Sequence, residues 1–272
     1  MTDDDVLFRR DGDRFIPTDL TIGPWDQRAQ HGGAPAALLT HAIELVEAPA
    51  PMQVARLTFE LMRPVPIAPL RVRTELVRPG RKVQLVQASL LADDDVEVMR
   101  ATALRIRIAD LELPALPAPP GDVAPEPPLP RPPEQGTVQG FPGSNGATWR
   151  GFHSHANEIR FVEGGFAHAG PAVGWFRLLV PVVDGEPTSP TMRVVAAADF
   201  GNGVAWTLPR ANWIFINPDL TVHLVRPPTG EWIGLRSATY PAGGGMAMAE
   251  SALYDRDGRV GRSVQSLILD RQ

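Results

Sequence analysis

Leu57-Thr-Phe-Glu-Leu-Met-Arg-Pro64 and Leu220-Thr-Val-His-Leu-Val-Arg-Pro227 are one pattern written twice. The match runs on without a gap. Shifted by 163, residues 57–106 fall on 220–269, with Leu57, Thr58, Leu61, Arg63, Pro64, Arg73, Gly80, Leu90, Asp94 and Leu104 repeated as Leu220, Thr221, Leu224, Arg226, Pro227, Arg236, Gly243, Leu253, Asp257 and Leu267. A period this long lies well beyond the roughly 20–50 residues of solenoid repeats, so a whole domain is duplicated. In a duplicated fold one copy can keep the chemistry while the other keeps only the shape.

Composition agrees with two globular domains. Of the 272 residues, 43% are hydrophobic and 21% charged, which are values of packed rather than disordered chains. The net charge of −5 argues against nucleic acid as a partner. There is no cysteine, hence no disulfide, thiolate nucleophile or zinc–sulfur site. The acidic start, Met1-Thr-Asp-Asp-Asp5, does not read as a secretory signal, and no apolar run is long enough to span a membrane. A cytoplasmic location is the expectation.

Prolines at 114, 117, 119, 120, 125, 127, 128, 130, 132 and 133 make 111–148 an extended, semi-rigid linker. It separates an N-terminal domain, 1–110, from a C-terminal domain, 149–272. In the second, Val173–Val180 reads as a strand. Ser189-Pro190 then supplies an N-cap and a first-turn proline for a helix from Thr191 to about Ala205. Strands are expected near 213–225, 232–240, 245–254 and 259–269, the last two joined by the turn Asp255-Arg-Asp-Gly258. The first half repeats the order, with a helix near 33–47 and strands near 54–63, 70–78, 82–92 and 96–108. The expected class is α+β, a tandem (double) hotdog, with two long helices each wrapped by an antiparallel sheet.

Alternation in 96–108 places Glu97, Met99, Arg105 and Arg107 on one face and Val96, Val98, Leu104, Ile106 and Ile108 on the other. If the second face meets the helix, so does Thr102, and the repeat puts Gln265 in its place. A glutamine on a core face needs partners. Asp199, an acid inside the apolar run Met192-Arg-Val-Val-Ala-Ala-Ala-Asp-Phe200, offers one. The pair is either catalytic or structural, with Asp199 ending the helix before Gly201 and Gly203. The first copy has neither residue, so the N-terminal domain is read as carrying a degenerate site and the C-terminal domain the active one.

The chain resembles the acyl-CoA thioesterase II family of double-hotdog enzymes. The likeness rests on Val195-Ala-Ala-Ala-Asp-Phe-Gly-Asn-Gly203, Phe215-Ile-Asn-Pro-Asp-Leu-Thr-Val-His-Leu-Val-Arg-Pro227, Gly230-Glu-Trp232 and Gly258-Arg-Val-Gly-Arg-Ser-Val-Gln265, with Gln30-His-Gly-Gly33 and Leu61-Met-Arg-Pro64 in the first half. It implies hydrolysis of acyl-CoA to free acid and CoA, with no cofactor and no metal. In that family an aspartate, a threonine or serine, and a glutamine hold and activate the attacking water. Carried over, these are Asp199, Asn217 and Gln265, with Asn217 departing from the family's hydroxyl. Asp199 would be the base, its pKa raised by burial. A homodimer is expected, because hotdog units usually pack further.

Two other functions compete. Asp26 and His31 have the separation of the acid–histidine pair in hotdog enoyl-CoA hydratases, although Arg28-Ala29 stands where that pattern has asparagine-proline. A non-catalytic acyl-CoA-binding protein would keep the ligand without turnover. His153 and His155 are read as surface or linker-end residues rather than metal ligands, and Gly243-Gly-Gly245 as a hairpin turn.

Overall fold

The computed structural model describes residues 5–114, 127–140, 149–209 and 212–271. The first half contains β1 (Phe8–Asp11), β2 (Arg14–Pro17), α1 (Gly33–Glu44), β3 (Met52–Leu61), β4 (Leu70–Arg78), β5 (Val83–Leu91) and β6 (Glu97–Arg107). After it come β7 (Thr137–Val138), β8 (Asn157–Glu163), β9 (Ala172–Leu178), α2 (Pro190–Ala198) and α3 (Gly201–Val204). The chain closes with β10 (Trp213–Ile216), β11 (Asp219–Leu224), β12 (Trp232–Pro241), β13 (Met246–Asp255) and β14 (Gly258–Arg271).

All 14 strands of the described residues form one sheet, in the order β1-β2-β4-β5-β6-β3-β11-β14-β13-β12-β9-β8-β7, with β10 also on β14. The two copies of the repeat meet at its centre. On β3 and β11, Thr58 faces Thr221, and their hydroxyl oxygens lie 3.2 Å apart. These are the same residue of the two copies, so an approximate twofold axis passes between them. Both helices pack on one side of the sheet. Ala34, Ala36, Ala37, Leu38, Leu39 and Ile43 of α1, and Val194, Val195 and Ala198 of α2, are fully buried there.

The helices are shorter than expected. α1 has 12 residues and α2 has 9, starting where Ser189 accepts a bond from Met192 N–H (3.1 Å) and Pro190 fills the first turn. α2 stops at Asp199, and a single further turn, α3, begins two residues later. Two long helices are therefore replaced by two modest ones, while the two halves join through β3 and β11 into one continuous sheet, as expected of paired hotdogs.

The repeat also slips. Thr58 pairs with Thr102, but Thr221 pairs with Val264 rather than Gln265, so the last strand is offset by one residue less than the others. The turn from β13 to β14 is one residue shorter than that from β5 to β6, since Tyr254 pairs with Arg259 whereas Leu91 pairs with Glu97. Thr102 accordingly faces outward while Gln265 faces the helices. The assignment of faces on β6 inverts with it. Ala101 and Ala103 are buried in the core, whereas Ile106 and Ile108 are exposed. Arg105 is buried because it caps α1, donating to Val46 O (2.7 Å), Ile43 O (3.2 Å) and Gln84 Oε1 (2.5 Å). A cation is favoured at carbonyls left open by a helix C-terminus.

Part of the proline-rich segment, 115–126 and 141–148, lies outside the described residues. The rest does more than space the halves apart. Arg131 O accepts the indole N–H of Trp175 (2.7 Å), and β7 extends the sheet beside β8.

Candidate functional site

Where α2 ends, the chain runs against the start of α1, and Asp199 sits between them with its side chain 6% exposed. Three side-chain donors converge on it. His31 Nδ1 lies 2.9 Å from Oδ2. Asn217 Nδ2 donates to Oδ1 at 2.9 Å, and Gln265 Nε2 reaches the same oxygen at a looser 3.3 Å. A carboxylate only accepts, so Nδ1 of His31 carries the proton.

Each neighbour is held for a local reason. α1 begins at Gly32 without a side-chain cap, so its first N–H groups and its positive end are open to an anion. Glycine is required for the approach. A Cβ on Gly32 would stand 2.8 Å from Asp199 Oδ2, and one on Gly33 would stand 2.7 Å from Ala196 O. Asn217 is aimed by a bulge. Five residues lead from Ile216 to Thr221 but only four from Ile268 to Val264, so Asn217-Pro218 carries one extra residue that re-aims the side chain. Gln265 is buried and fully used, its Oε1 accepting the Asn202 N–H (3.1 Å) opened by the start of α3. Phe152 and Phe200 wall the imidazole of His31, with ring centroids 4.9 and 4.5 Å away.

Burial acts to raise the pKa of Asp199, but the neighbouring His31, the bonds from His31 and Asn217, and the Gly33 N–H outweigh it. The carboxyl is held below its ordinary value. The rise toward neutrality expected from burial alone is thus reversed, because the group is buried among donors rather than among hydrocarbon.

The structure brings Asp199, Asn217 and Gln265 together, and adds His31 and Gly33 from the first half. The cluster straddles the joint between the copies instead of lying within the second. Asp26 is elsewhere engaged: its carboxylate grips Arg28 (2.8 Å) and is exposed, with a pKa lowered to about 2 by that bond. It is not paired with His31, so the hydratase dyad does not form. His155 is exposed as expected, but His153 is buried, 1% exposed, in the turn Phe152–Ala156 beside this cluster. Burial, with His31 and His155 nearby, lowers its pKa to about 4.

Residues 120–269 match the family model of the acyl-CoA thioesterase C-terminal domain, and residues 21–106 match that of the acyl-CoA thioesterase N-terminal domain. No curated protein matches the chain. Among solved structures, a protein assigned as a thioesterase II from Thermobifida fusca YX is 20% identical, with a TM-score of 0.71 over 97% of this chain and 94% of that one. A conserved hot dog fold protein of unknown function from Alicyclobacillus acidocaldarius is 18% identical, with a TM-score of 0.69 over 99% and 97%. An acyl-CoA thioesterase II, TesB2, from Mycobacterium marinum is 16% identical, with a TM-score of 0.61 over 100% and 98%. At these identities the structural likeness speaks for a shared fold.

Proposed function

Because the chain belongs to the acyl-CoA thioesterase family, matched by both halves, we propose that the Asp199 cluster is where it hydrolyses acyl-CoA to free acid and CoA. The observation that carries this reading is an ionised, nearly buried carboxylate with one loose donor, Gln265, at 3.3 Å. A water entering there takes the place of that bond. It accepts from Gln265 Nε2, gives one hydrogen to Asp199 Oδ1, and can give the other to Asn217 Oδ1. Its oxygen attacks the thioester carbonyl as Asp199 takes the proton. The C–S bond then breaks, the thiolate leaves, and the proton passes to it to give CoA.

Asp199 held below its ordinary pKa is a weak base, but one that is ionised at every working pH. Catalysis then draws mainly on orientation of the water and on charge stabilisation. His31 fixes the carboxylate from its other oxygen. The positive end of α1 faces the region where the oxyanion develops. Asn217 serves as the donor that a hydroxyl would otherwise supply.

One observation favours a second reading. His31 is fixed on Asp199 through Nδ1, whereas its Nε2 makes no bond to the described residues. Asp199 would then orient the imidazole, and Nε2 would take the proton from water, the division of labour of a carboxylate–histidine pair.

Release of CoA thiol from a panel of acyl-CoAs tests the function. Hydrolysis of at least one member is expected, with Asn217→Thr holding or raising the rate, since a hydroxyl can also donate to Asp199. A wild type without thiol release that Asn217→Thr makes active would instead identify an acyl-CoA-binding protein.

A further inference from the structure

The face of the sheet turned away from the helices carries a row of arginines and one histidine in cross-strand register. Arg56 of β3 faces His223 of β11, which faces Arg262 of β14; Arg262 faces Ala252 of β13, which faces Arg236 of β12. Their neighbours along the strands, Leu57, Val222, Ser263, Leu253 and Leu235, are buried on the helix side, so the row itself points outward. At the centre of the row, Arg56, His223 and Arg262 make no ion pair with the described residues. Arg236 is only loosely held, 3.5 Å from Glu163, and its Nε is buried without a partner. Arginines gathered on one face without firm partners are expected where an anionic ligand completes them.

The row borders a cavity of about 310 Å³, lined among others by Ala238, Ala252, Arg236, Arg259, Arg262 and Tyr240. The two alanines leave the space, and the arginines stand on both sides of Ala252. Two carboxylates also line it, Glu163 in the loose contact with Arg236 and Glu250 as acceptor for the Tyr240 hydroxyl (3.3 Å), against three arginines. Arg236 and Arg262 are two strands apart, roughly 10 Å, a gap that two long side chains close from both sides. Guanidinium forks match phosphate oxygens in pairs.

We propose that this cavity binds a small polyphosphate, a ligand carrying at least two linked phosphate groups, either free or as the diphosphate of a nucleotide. The site lies across the sheet from Asp199 and Gln265 and is separate from the hydrolytic one.

Calorimetric titration of the full chain at constant ionic strength, with sodium pyrophosphate and with ADP, tests this. Saturable binding is expected in the wild type, with affinity about tenfold or more weaker in Arg262→Ala and Arg236→Ala, since each loses charge-assisted bonds. Tighter binding of ADP than of pyrophosphate assigns the ligand to nucleotides; equal affinity assigns it to bare polyphosphate. Arg262→Gln, which keeps the side-chain volume, serves if the alanine variant does not fold. No saturable binding of either probe to the wild type, or undiminished binding by the variants, would overturn the proposal. Thiol release should be unchanged by Arg262→Ala, which keeps the outcome independent of the hydrolytic reading.

Discussion

Asp199→Asn lowers kcat for acyl-CoA hydrolysis by about 10²–10⁴, the usual range for loss of a general base. The substitution keeps the shape of the side chain but not its chemistry. Three donors converge on Asp199, and an amide presents one acceptor oxygen and an NH₂ that meets some of those donors head on. Some stability should therefore go with the activity, and kcat is to be compared on protein shown to be folded. The pH dependence of unfolding supplies a second check. The folded-state pKa of Asp199 is depressed, so its contribution is complete above the ordinary carboxylate pKa and lost as pH falls through the folded value. Asp199→Asn should lack that loss on the acid side. Undiminished thiol release from the folded variant would remove Asp199 from the reaction.

The second large effect is on stability. Asp255 is completely buried at the turn from β13 to β14. Arg226 grips both of its oxygens (2.5 and 2.6 Å), and the N–H groups of Thr229, Asp257 and Gly258 donate to them at 2.9, 2.9 and 3.0 Å. One carboxylate thus ties the loop after β11 to the final hairpin. Burial acts to raise its pKa, but Arg226 and the backbone donors outweigh this and lower it to about 2. Asp255→Ala leaves these donors without their acceptor and should cost about 2–4 kcal/mol, less than a fully buried pair because Arg226 keeps access to water. The lowered pKa sets the pH window. The stabilisation should be present above pH about 4 and disappear between there and about 2, so the variant and wild type converge in acid. Denaturant unfolding at neutral and acid pH measures both. A variant within about 0.5 kcal/mol of wild type at pH 7 would show that the clamp is not structural.

The repeat carried most of the fold. Leu57-Thr58 and Leu220-Thr221 became the two central strands, meeting at the pair of residues that the 163-residue shift equates. What the pattern could not show were changes of one residue. The shorter turn before β14 moved Gln265 to the helix side while Thr102 stayed outside. The bulge at Asn217-Pro218 aimed a side chain that alternation could not place. The inner face of β6 was masked for another reason: it is built from alanines and an arginine that caps a helix, and bulk alone favours Ile106 and Ile108.

At the site, the neighbourhood of Asp199 and Gln265 was legible because an acid and an amide among apolar residues each need partners. His31 was not, since spacing paired it with Asp26, which the adjacent Arg28 instead captures. The available signal was a histidine directly before two glycines at a helix start, but its partner lies in the other half of the chain. The direction of the Asp199 pKa is not legible in the sequence because it depends on donors supplied by three separate segments.

The pH profile of kcat/KM for acyl-CoA hydrolysis tests most directly whether Asp199 is the base, because it reports the ionisations of the free enzyme. With Asp199 held below the ordinary carboxylate value of about 3.9, the rate is predicted to stay level from neutral pH down to about 5. An acid limb centred near neutrality, surviving a change of substrate, would contradict this and move the base to His31.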